Sequence, residues 1–243
     1  GVDESTQEDI NTYKIHFEYR FNDDVLAHAQ ASSGYRAGGF NRSGFTQVSS
    51  ASPYDSDSLW NYEVGVRTSW LDGRFVANAV AYYIDWSDIQ LTTYDPASVS
   101  NKIQNAGKAE NFGFELETRY QATESLRLTA SYAYVDASLA EDFESTVTIP
   151  ATVLAAEGTR LPGSSKNSVA LAADWQAPLT DSLDVFASLN YVYASSRAAD
   201  LTTSTTFEAK DNPSSEIINA SFGLSTEVGV KVSAYANNLL DER

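Results

Sequence analysis

Hydrophobic and polar residues alternate with a period of two along most of the chain, and residues 59–86 show this pattern clearly. One parity is apolar and comprises Tyr62, Val64, Val66 and Trp70; the other comprises Asn61, Glu63, Gly65, Arg67 and Ser69. Successive side chains of a β-strand point to opposite faces of a sheet, so the alternation predicts strands with one apolar and one polar face. The sequence Leu71-Asp72-Gly73-Arg74 predicts a hairpin turn, because glycine tolerates the positive φ angle that short connections need.

The same alternation recurs in ten segments, and no segment has a convincing helical period. The predicted strands cover residues 11–21, 25–35, 59–70, 75–86, 110–120, 126–134, 169–175, 183–193, 216–226 and 229–240. Short turns near residues 23, 72, 123, 180 and 227 alternate with long polar loops at residues 37–57, 87–104, 139–165 and 195–215. The order predicts that all short turns lie at one end of a sheet and all long loops at the other.

This organisation is typical of outer-membrane barrels, whereas the hairpins of soluble sandwiches usually follow one another more closely. Aromatic residues near the strand ends resemble the interfacial girdles of such barrels. They include Tyr13, Tyr19, Phe21, Trp70, Tyr120, Tyr134, Trp175 and Tyr193. We therefore predict an all-β fold, an antiparallel up-and-down transmembrane β-barrel with a wet, polar interior. The alternative is an ordinary antiparallel sheet with one face on a soluble core.

The amino-acid composition argues against several classes of function. The 33 acidic and 16 basic residues give a formal net charge of −17, which argues against a nucleic-acid partner because such surfaces need a basic patch. Cysteine is absent, so neither a disulfide framework nor a thiolate metal site is available. Methionine is absent too, and we expect the sequence to be one part of a longer protein. No apolar run has the ~18 to 20 residues of a membrane helix.

Several segments resemble one family, the TonB-dependent outer-membrane receptors. They are SSGYRAGGFN from Ser32, LWNYEVGVRTSWLDGR from Leu59, AYYIDWSDIQ from Ala81, NAGKAENFGFELE from Asn105 and ANNLLDER from Ala236. The resemblance covers nearly the whole chain, and the order and distances of the segments make it specific.

The resemblance implies a 22-stranded barrel filled by an N-terminal plug. The ten strands then correspond to strands twelve to twenty-one, and residues 1–243 form a single partial barrel domain without plug or closing strand. The implied function is active import of a scarce ligand, by default a ferric siderophore or similar metal chelate. The implied partners are outer-membrane lipid and lipopolysaccharide, the remaining barrel strands and plug, and the TonB energy-transducing complex. The implied location is the outer membrane, with the long loops extracellular and the short turns periplasmic.

Ligand contacts are expected at the barrel mouth, on upper strand ends and long loops. The candidates are Tyr35, Arg36, Phe40, Asn41, Arg42, Tyr54, Trp86 and Tyr94. They mix aromatic surfaces with hydrogen-bond donors. Interfacial anchoring or loop packing is the competing interpretation, since aromatic residues at strand ends commonly form girdles.

Acidic loop residues offer oxygen ligands for a hard cation such as calcium, but they lack the regular ligand and glycine spacing of a cation loop. These candidates are Asp55, Asp57, Glu141, Asp142 and Glu144. Glu115 and Glu117 lie on the same face of one strand. A row of polar residues facing the barrel interior explains this, so the pair does not indicate a catalytic site. His16 and His28, on different strands, are interpreted as interior polar residues. We thus expect no enzymatic activity and no cofactor. A small barrel or adhesin-like binding domain with acidic loops remains the alternative function.

Overall fold

The computed structural model describes residues 8–41, 52–95, 100–144, 153–199, 201 and 211–242. Sixteen strands lie in this part of the chain. They are β1 Lys14–Arg20, β2 Val25–Arg36, β3 Gly39–Asn41, β4 Ser52–Tyr54, β5 Asp57–Trp70, β6 Phe75–Ser87, β7 Gln90–Asp95, β8 Ser100–Asn105, β9 Ala109–Gln121, β10 Leu126–Leu139, β11 Phe143–Glu144, β12 Val153–Ala155, β13 Asn167–Thr180, β14 Leu183–Ala194, β15 Ser215–Thr226 and β16 Lys231–Ala236. Within the described ranges no helix is long and apolar enough to cross a membrane.

Ten long strands form one antiparallel sheet in the order β1-β2-β5-β6-β9-β10-β13-β14-β15-β16. These are the ten predicted strands, so the sequence-based prediction of an all-β, up-and-down architecture is confirmed. The sheet is open in the described residues, with β1 and β16 at its edges. Its short turns lie at one end, which we call the short-turn end. The longer segments lie at the other, the long-connection end.

The long connections contain structure that the sequence did not predict. In place of aperiodic loops, β3 pairs with β4, β7 with β8, and β11 with β12. These hairpins are too short or too polar to show one apolar row against one polar row. Periodicity therefore could not detect them.

Several strand boundaries also differ from the prediction: β1 begins later, at Lys14, and β10 continues to Leu139, while β13 and β16 end where the local chemistry of the chain changes. β13 continues through Pro178 to Thr180, with a register shift between these residues, because a bulge accommodates the missing N–H of proline. β16 ends at Ala236 and not near residue 240, because Asn238 turns the chain with a φ of 51°. The Asn238 side chain bonds to both the carbonyl and the N–H of Glu242, which stabilises this turn.

The sheet has two chemically different faces. The apolar face carries the cross-strand rows Ile15-Ala31-Tyr62-Tyr83-Phe112 and Phe17-Ala29-Val64-Ala81-Phe114. The polar face, formed by the alternate residues, carries His16, His28, Glu63, Glu115, Glu117, Arg127 and Asp174. The alternation read from the sequence thus corresponds to the two faces of one sheet.

The apolar face is exposed along its length. Ile15 is 75% exposed, Val64 58% and Phe222 57%. The hydrophobic core lies instead at the long-connection end, where a cluster of buried residues joins several connections. This cluster, the loop core, comprises Ile89, Ala106, Ala109, Leu139, Phe143, Ala155 and Leu201. The protein therefore leaves a broad hydrophobic sheet surface uncovered, which in a monomeric soluble domain would be unusual.

Candidate functional site

The long-connection end is organised by a buried carboxylate on the polar face. Arg36 and Asp57 are direct partners in the register of β2 and β5. The Asp57 side chain is 1% exposed and accepts hydrogen bonds from Arg36 Nε, at 2.9 Å to Oδ2, and from the Gln90 backbone N–H, at 3.0 Å. The guanidinium Nη2 also contacts Asp57 Oδ2. A charged side chain at this depth is stabilised only when paired and hydrogen-bonded in this way.

The guanidinium of Arg36 also lies over an aromatic ring. Its Cζ atom is 4.8 Å from the ring centroid of Trp86. The Arg36 side chain is 48% exposed, so one side of the cation faces solvent while the other contacts Asp57 and Trp86. The pair presents a fixed, planar donor group beside an aromatic surface, a combination suited to planar or anionic ligands.

Polar side chains tie the first two long connections together. Gln90 Nε2 donates to the carbonyls of Ala37 and Asp55, both at 3.0 Å. Asn105 Nδ2 donates to the Asp55 carbonyl at 3.0 Å, and Asn105 Oδ1 accepts from the Asp55 N–H at 2.8 Å. The amide of Asn41 bonds to both backbone groups of Ile103, at 2.7 and 2.8 Å. These bonds hold the β3–β4 hairpin against the β7–β8 hairpin.

The predicted ligand residues do not all lie on the same face or in the same element of the structure. Arg36 and Trp86 meet on the polar face, whereas Tyr35, being adjacent to Arg36 on a strand, lies on the apolar face. Phe40 and Asn41 lie in β3, and the ring of Tyr54 lies over Gly39, where an added Cβ would be 2.6 Å from the hydroxyl. Arg42 lies outside the described residues. For Tyr94, in β7, only the backbone is described.

The acidic loop residues do not converge. Asp55 contributes its backbone to the loop ties, Asp57 is engaged by Arg36, and Glu141 packs against Gly107, where an added Cβ would lie 2.1 Å from Oε1. Asp142 accepts the Glu157 N–H at 2.7 Å, and Glu144 is exposed. The described part of the chain contains no group of three His, Cys, Asp or Glu side chains arranged to hold a metal ion.

Both histidines lie on the polar face, and the structure brings them together. Their ring centroids are 6.0 Å apart, and His28 Nε2 is 3.1 Å from Glu63 Oε1. The His28 side chain is 7% exposed and lies over Gly65, whose absent Cβ would be 2.3 Å from the ring. The sequence showed the parity of these residues but not their contact, because it did not show the register between β1, β2 and β5.

A second polar group lies on the opposite side of the sheet, where the apolar face meets the long connections. Lys166 Nζ is 2.9 Å from Asp136 Oδ2 and 5.4 Å from the Tyr134 ring centroid. The hydrogen bond with Asp136 raises the pKa of the Lys166 ammonium. Tyr83 donates to Glu110 Oε2 at 3.1 Å. Sequence reasoning missed Lys166 because it lies in a connection, where periodicity assigns no face.

A large antiparallel sheet with one exposed apolar face and one polar face is typical of the wall of a transmembrane β-barrel. The chain matches the family "TonB dependent receptor-like, beta-barrel" over residues 2–239. It therefore belongs to the TonB-dependent receptors, which are outer-membrane proteins.

Individual relatives agree with this assignment. The chain is 29% identical over 234 residues to the metal-pseudopaline receptor CntO of Pseudomonas aeruginosa (strain UCBPP-PA14), covering 96% of this chain and 30% of that protein. The ferric yersiniabactin uptake receptor FyuA of Yersinia pestis has a TM-score of 0.73 at 19% identity, covering 95% of this chain and 32% of that one. The siderophore receptor PiuA of Acinetobacter baumannii has a TM-score of 0.70 at 19% identity, covering 96% and 32%. The chain thus spans about a third of the length of these relatives.

Proposed function

We propose that this chain forms part of the barrel wall and the outer loops of a receptor that imports a scarce ligand, a ferric siderophore or similar metal chelate. The observation that carries the proposal is the exposed apolar face, bounded by aromatic residues at both ends. Near the long connections these are Trp60, Tyr62, Tyr83, Phe112 and Tyr134; near the short turns they are Trp70, Phe75, Tyr120 and Trp175.

The dimensions of this face suit a bilayer. Trp60 and Trp70 lie on the same face of β5 and are separated by ~34 Å of strand, at ~3.4 Å per residue. Barrel strands are tilted by ~40°, which reduces this length to ~26 Å along the membrane normal, close to the ~25 Å apolar band of outer-membrane barrels. In the proposed orientation the apolar face contacts lipid, the polar face lines the interior, the long connections are extracellular and the short turns are periplasmic.

The cargo proposal rests on the relatives. CntO is named for metal-pseudopaline, FyuA for ferric yersiniabactin uptake and PiuA for siderophores. In this chain Arg36, which is 48% exposed, presents a cation at the long-connection end of the polar face, and the Trp86 ring lies beneath it and packs partly against the loop core; we propose that this pair contacts the chelate. Energy coupling would come from a plug domain and the TonB complex, with no catalytic step by these residues.

Site-specific labelling in the full-length receptor tests the orientation. Val64→Cys should react with a membrane-soluble maleimide and be shielded from a water-soluble one, because Val64 lies in the middle of the apolar face. Glu63→Cys, one residue away on the polar face, is the matched control and should show the reverse preference. The opposite result for the pair would mean that the faces are assigned wrongly.

An uptake assay tests the cargo. A strain that lacks the receptor should lose growth on a ferric chelate under iron limitation, and the full-length gene should restore it. Trp86→Ala, with barrel content confirmed by heat-modifiable migration, should weaken binding of that chelate about tenfold, because the ring that holds the Arg36 guanidinium through a cation–π contact on the order of 1.4 kcal/mol is lost. If neither a ferric chelate nor a chelate of another metal supported growth that depends on the receptor, the cargo proposal would be contradicted.

A further inference from the structure

The guanidinium of Arg36 is held by three neighbours, and they determine which part of it can contact a ligand. Its Nε and Nη2 groups donate to Asp57, with Nε 2.9 Å from Oδ2. Nη2 also donates to the Gln90 carbonyl at 3.1 Å. The Trp86 ring covers one face of the guanidinium, with its centroid 4.8 Å from Cζ. The plane of the cation is therefore fixed before a ligand arrives.

These contacts use most of the donors that lie in the plane of the Arg36 guanidinium. Arginine has five N–H donors, and it binds a carboxylate best through two parallel bonds from neighbouring nitrogens. Asp57 occupies the edge formed by Nε and Nη2, and the Gln90 carbonyl takes the Nη2 hydrogen that the Nη1–Nη2 edge would need. Within the described part of the chain only the Nη1 hydrogens are left. Neither edge can therefore bind a second carboxylate through two parallel bonds.

The charge of the site leads to the same conclusion. The Asp57 side chain is 1% exposed and forms an ion pair with Arg36. An anion that approaches from outside thus meets a neutral pair and not an isolated cation, and its coulombic attraction to the guanidinium is largely cancelled by repulsion from the carboxylate. Arg36 therefore offers a carboxylate ligand little net attraction as well as an incomplete set of donors.

The free part of Arg36 is a face of its guanidinium. The side chain is 48% exposed although Asp57 and Gln90 occupy its edges and Trp86 covers one face, so the exposed area belongs mainly to the opposite face. Guanidinium faces stack on aromatic rings through cation–π attraction. Because the plane is already fixed, stacking a further ring on it costs little side-chain entropy.

We propose that Arg36 selects chelates that carry a planar aromatic metal-binding group, such as a catecholate or phenolate, by stacking its open face on that ring. This inference rests on the proposed function and names the class of chelate within it. The ring of the chelate, the guanidinium of Arg36 and the ring of Trp86 would form one stack at the long-connection end. Chelates that bind their metal only through carboxylates or hydroxamates lack this contact.

Binding of preformed ferric chelates to the purified full-length receptor tests the proposal. The probes are a ferric tris-catecholate, ferric citrate and a ferric trihydroxamate, of which only the first has aromatic rings. The wild type should bind the catecholate at least about tenfold more tightly than the other two. Arg36→Lys keeps a cation beside Asp57 but loses the planar face. It should weaken binding of the catecholate about fivefold and leave binding of the other two nearly unchanged, because an ammonium retains only part of the cation–π attraction.

Two further variants separate stacking from a structural role of Arg36. Arg197→Lys is the matched control, because Arg197 is an exposed arginine of another long connection whose backbone pairs with Asn212. It should leave all three affinities unchanged. Asp57→Asn removes the charge that neutralises Arg36, so it should raise the affinity for ferric citrate relative to the catecholate. A general loosening of the long connections would instead weaken binding of all three chelates alike and keep their order.

Tighter binding of ferric citrate or the trihydroxamate by the wild type would overturn the proposal, as would an Arg36→Lys variant that keeps the wild-type preference. Either result would leave the proposed import of a metal chelate intact, because a ferric chelate would still bind. If the receptor bound none of the three probes, selection of aromatic chelates would be wrong, and the uptake assay would decide separately whether the receptor imports another metal chelate.

Discussion

Asp57 shows how one side chain can determine the position of several segments. Its carboxylate joins Arg36 at the end of β2 to the backbone of Gln90 at the start of β7. An acidic residue in a polar stretch is usually solvated, and no pattern in the sequence indicates that Asp57 is buried. Its partner is fixed by the β2–β5 register, which spans a long connection.

Replacing Asp57 by Ala should loosen the first two long connections. The variant loses the carboxylate that orients Arg36 and leaves the Gln90 N–H without its acceptor. Breaking a buried ion pair costs about 3–5 kcal/mol, but Arg36 is partly exposed and can be rehydrated, so we expect the lower end of that range or less. Limited proteolysis in the residue 37–57 and 88–105 segments should become faster, with the barrel still heat-modifiable.

Asp55→Ala is the matched control, because Asp55 enters the same network through its backbone N–H and carbonyl. That variant should keep the wild-type cleavage rate. Equal effects of the two substitutions would show that the Asp57 carboxylate has no special part in holding these segments.

At the scale of elements, the strands could be predicted because the sequence of each strand shows a period-2 pattern with one apolar face. The hairpins within the long connections could not, because they depend on ties such as that between Asn41 and Ile103, distant in sequence. The long-connection end was predictable as a region, since it follows from the order of short turns and long loops. Its pairing of Arg36 with Asp57 and Trp86 was not, since it depends on register.

The membrane-facing assignment makes a prediction at this scale. Val66→Arg places a charge in the middle of the apolar face, where lipid contact would make it cost about 2–4 kcal/mol. Folding yield into outer membranes, or the urea midpoint of refolding into lipid vesicles, should fall accordingly. On a water-exposed strand the same substitution would be nearly neutral.

Ser131→Arg is the control for charge and size, because Ser131 lies on the polar face opposite Glu117 in the register of β9 and β10. We expect that variant to fold as well as the wild type. If Ser131→Arg were the more damaging of the two, the polar face would be the one that contacts lipid.

At the scale of the molecule, apolar side chains lie in two places: on the exposed face of the sheet and in the loop core. The sheet exposes its apolar face, and the buried apolar side chains of the described residues belong mainly to the loop core. Ile89 and Ala106 come from the connection after β6, Phe143 and Ala155 from the connection after β10, and Leu201 from the connection after β14. Connections far apart in sequence therefore share one core.

The loop core predicts that these connections open together. Phe143 is 2% exposed, and replacing it by Ala removes a large buried side chain at a cost of about 3–5 kcal/mol, depending on how far the cavity collapses. Because Ile89 and Ala106 flank the β7–β8 hairpin and pack in the same cluster, backbone amides of residues 90–105 should exchange hydrogen faster, although Phe143 is distant in sequence. Phe222→Ala, on the exposed apolar face of β15, is the matched control and should leave exchange in residues 90–105 unchanged. Faster exchange confined to residues 140–160 would show instead that each connection folds independently, and that the long-connection end is a set of separate loops and not one packed unit.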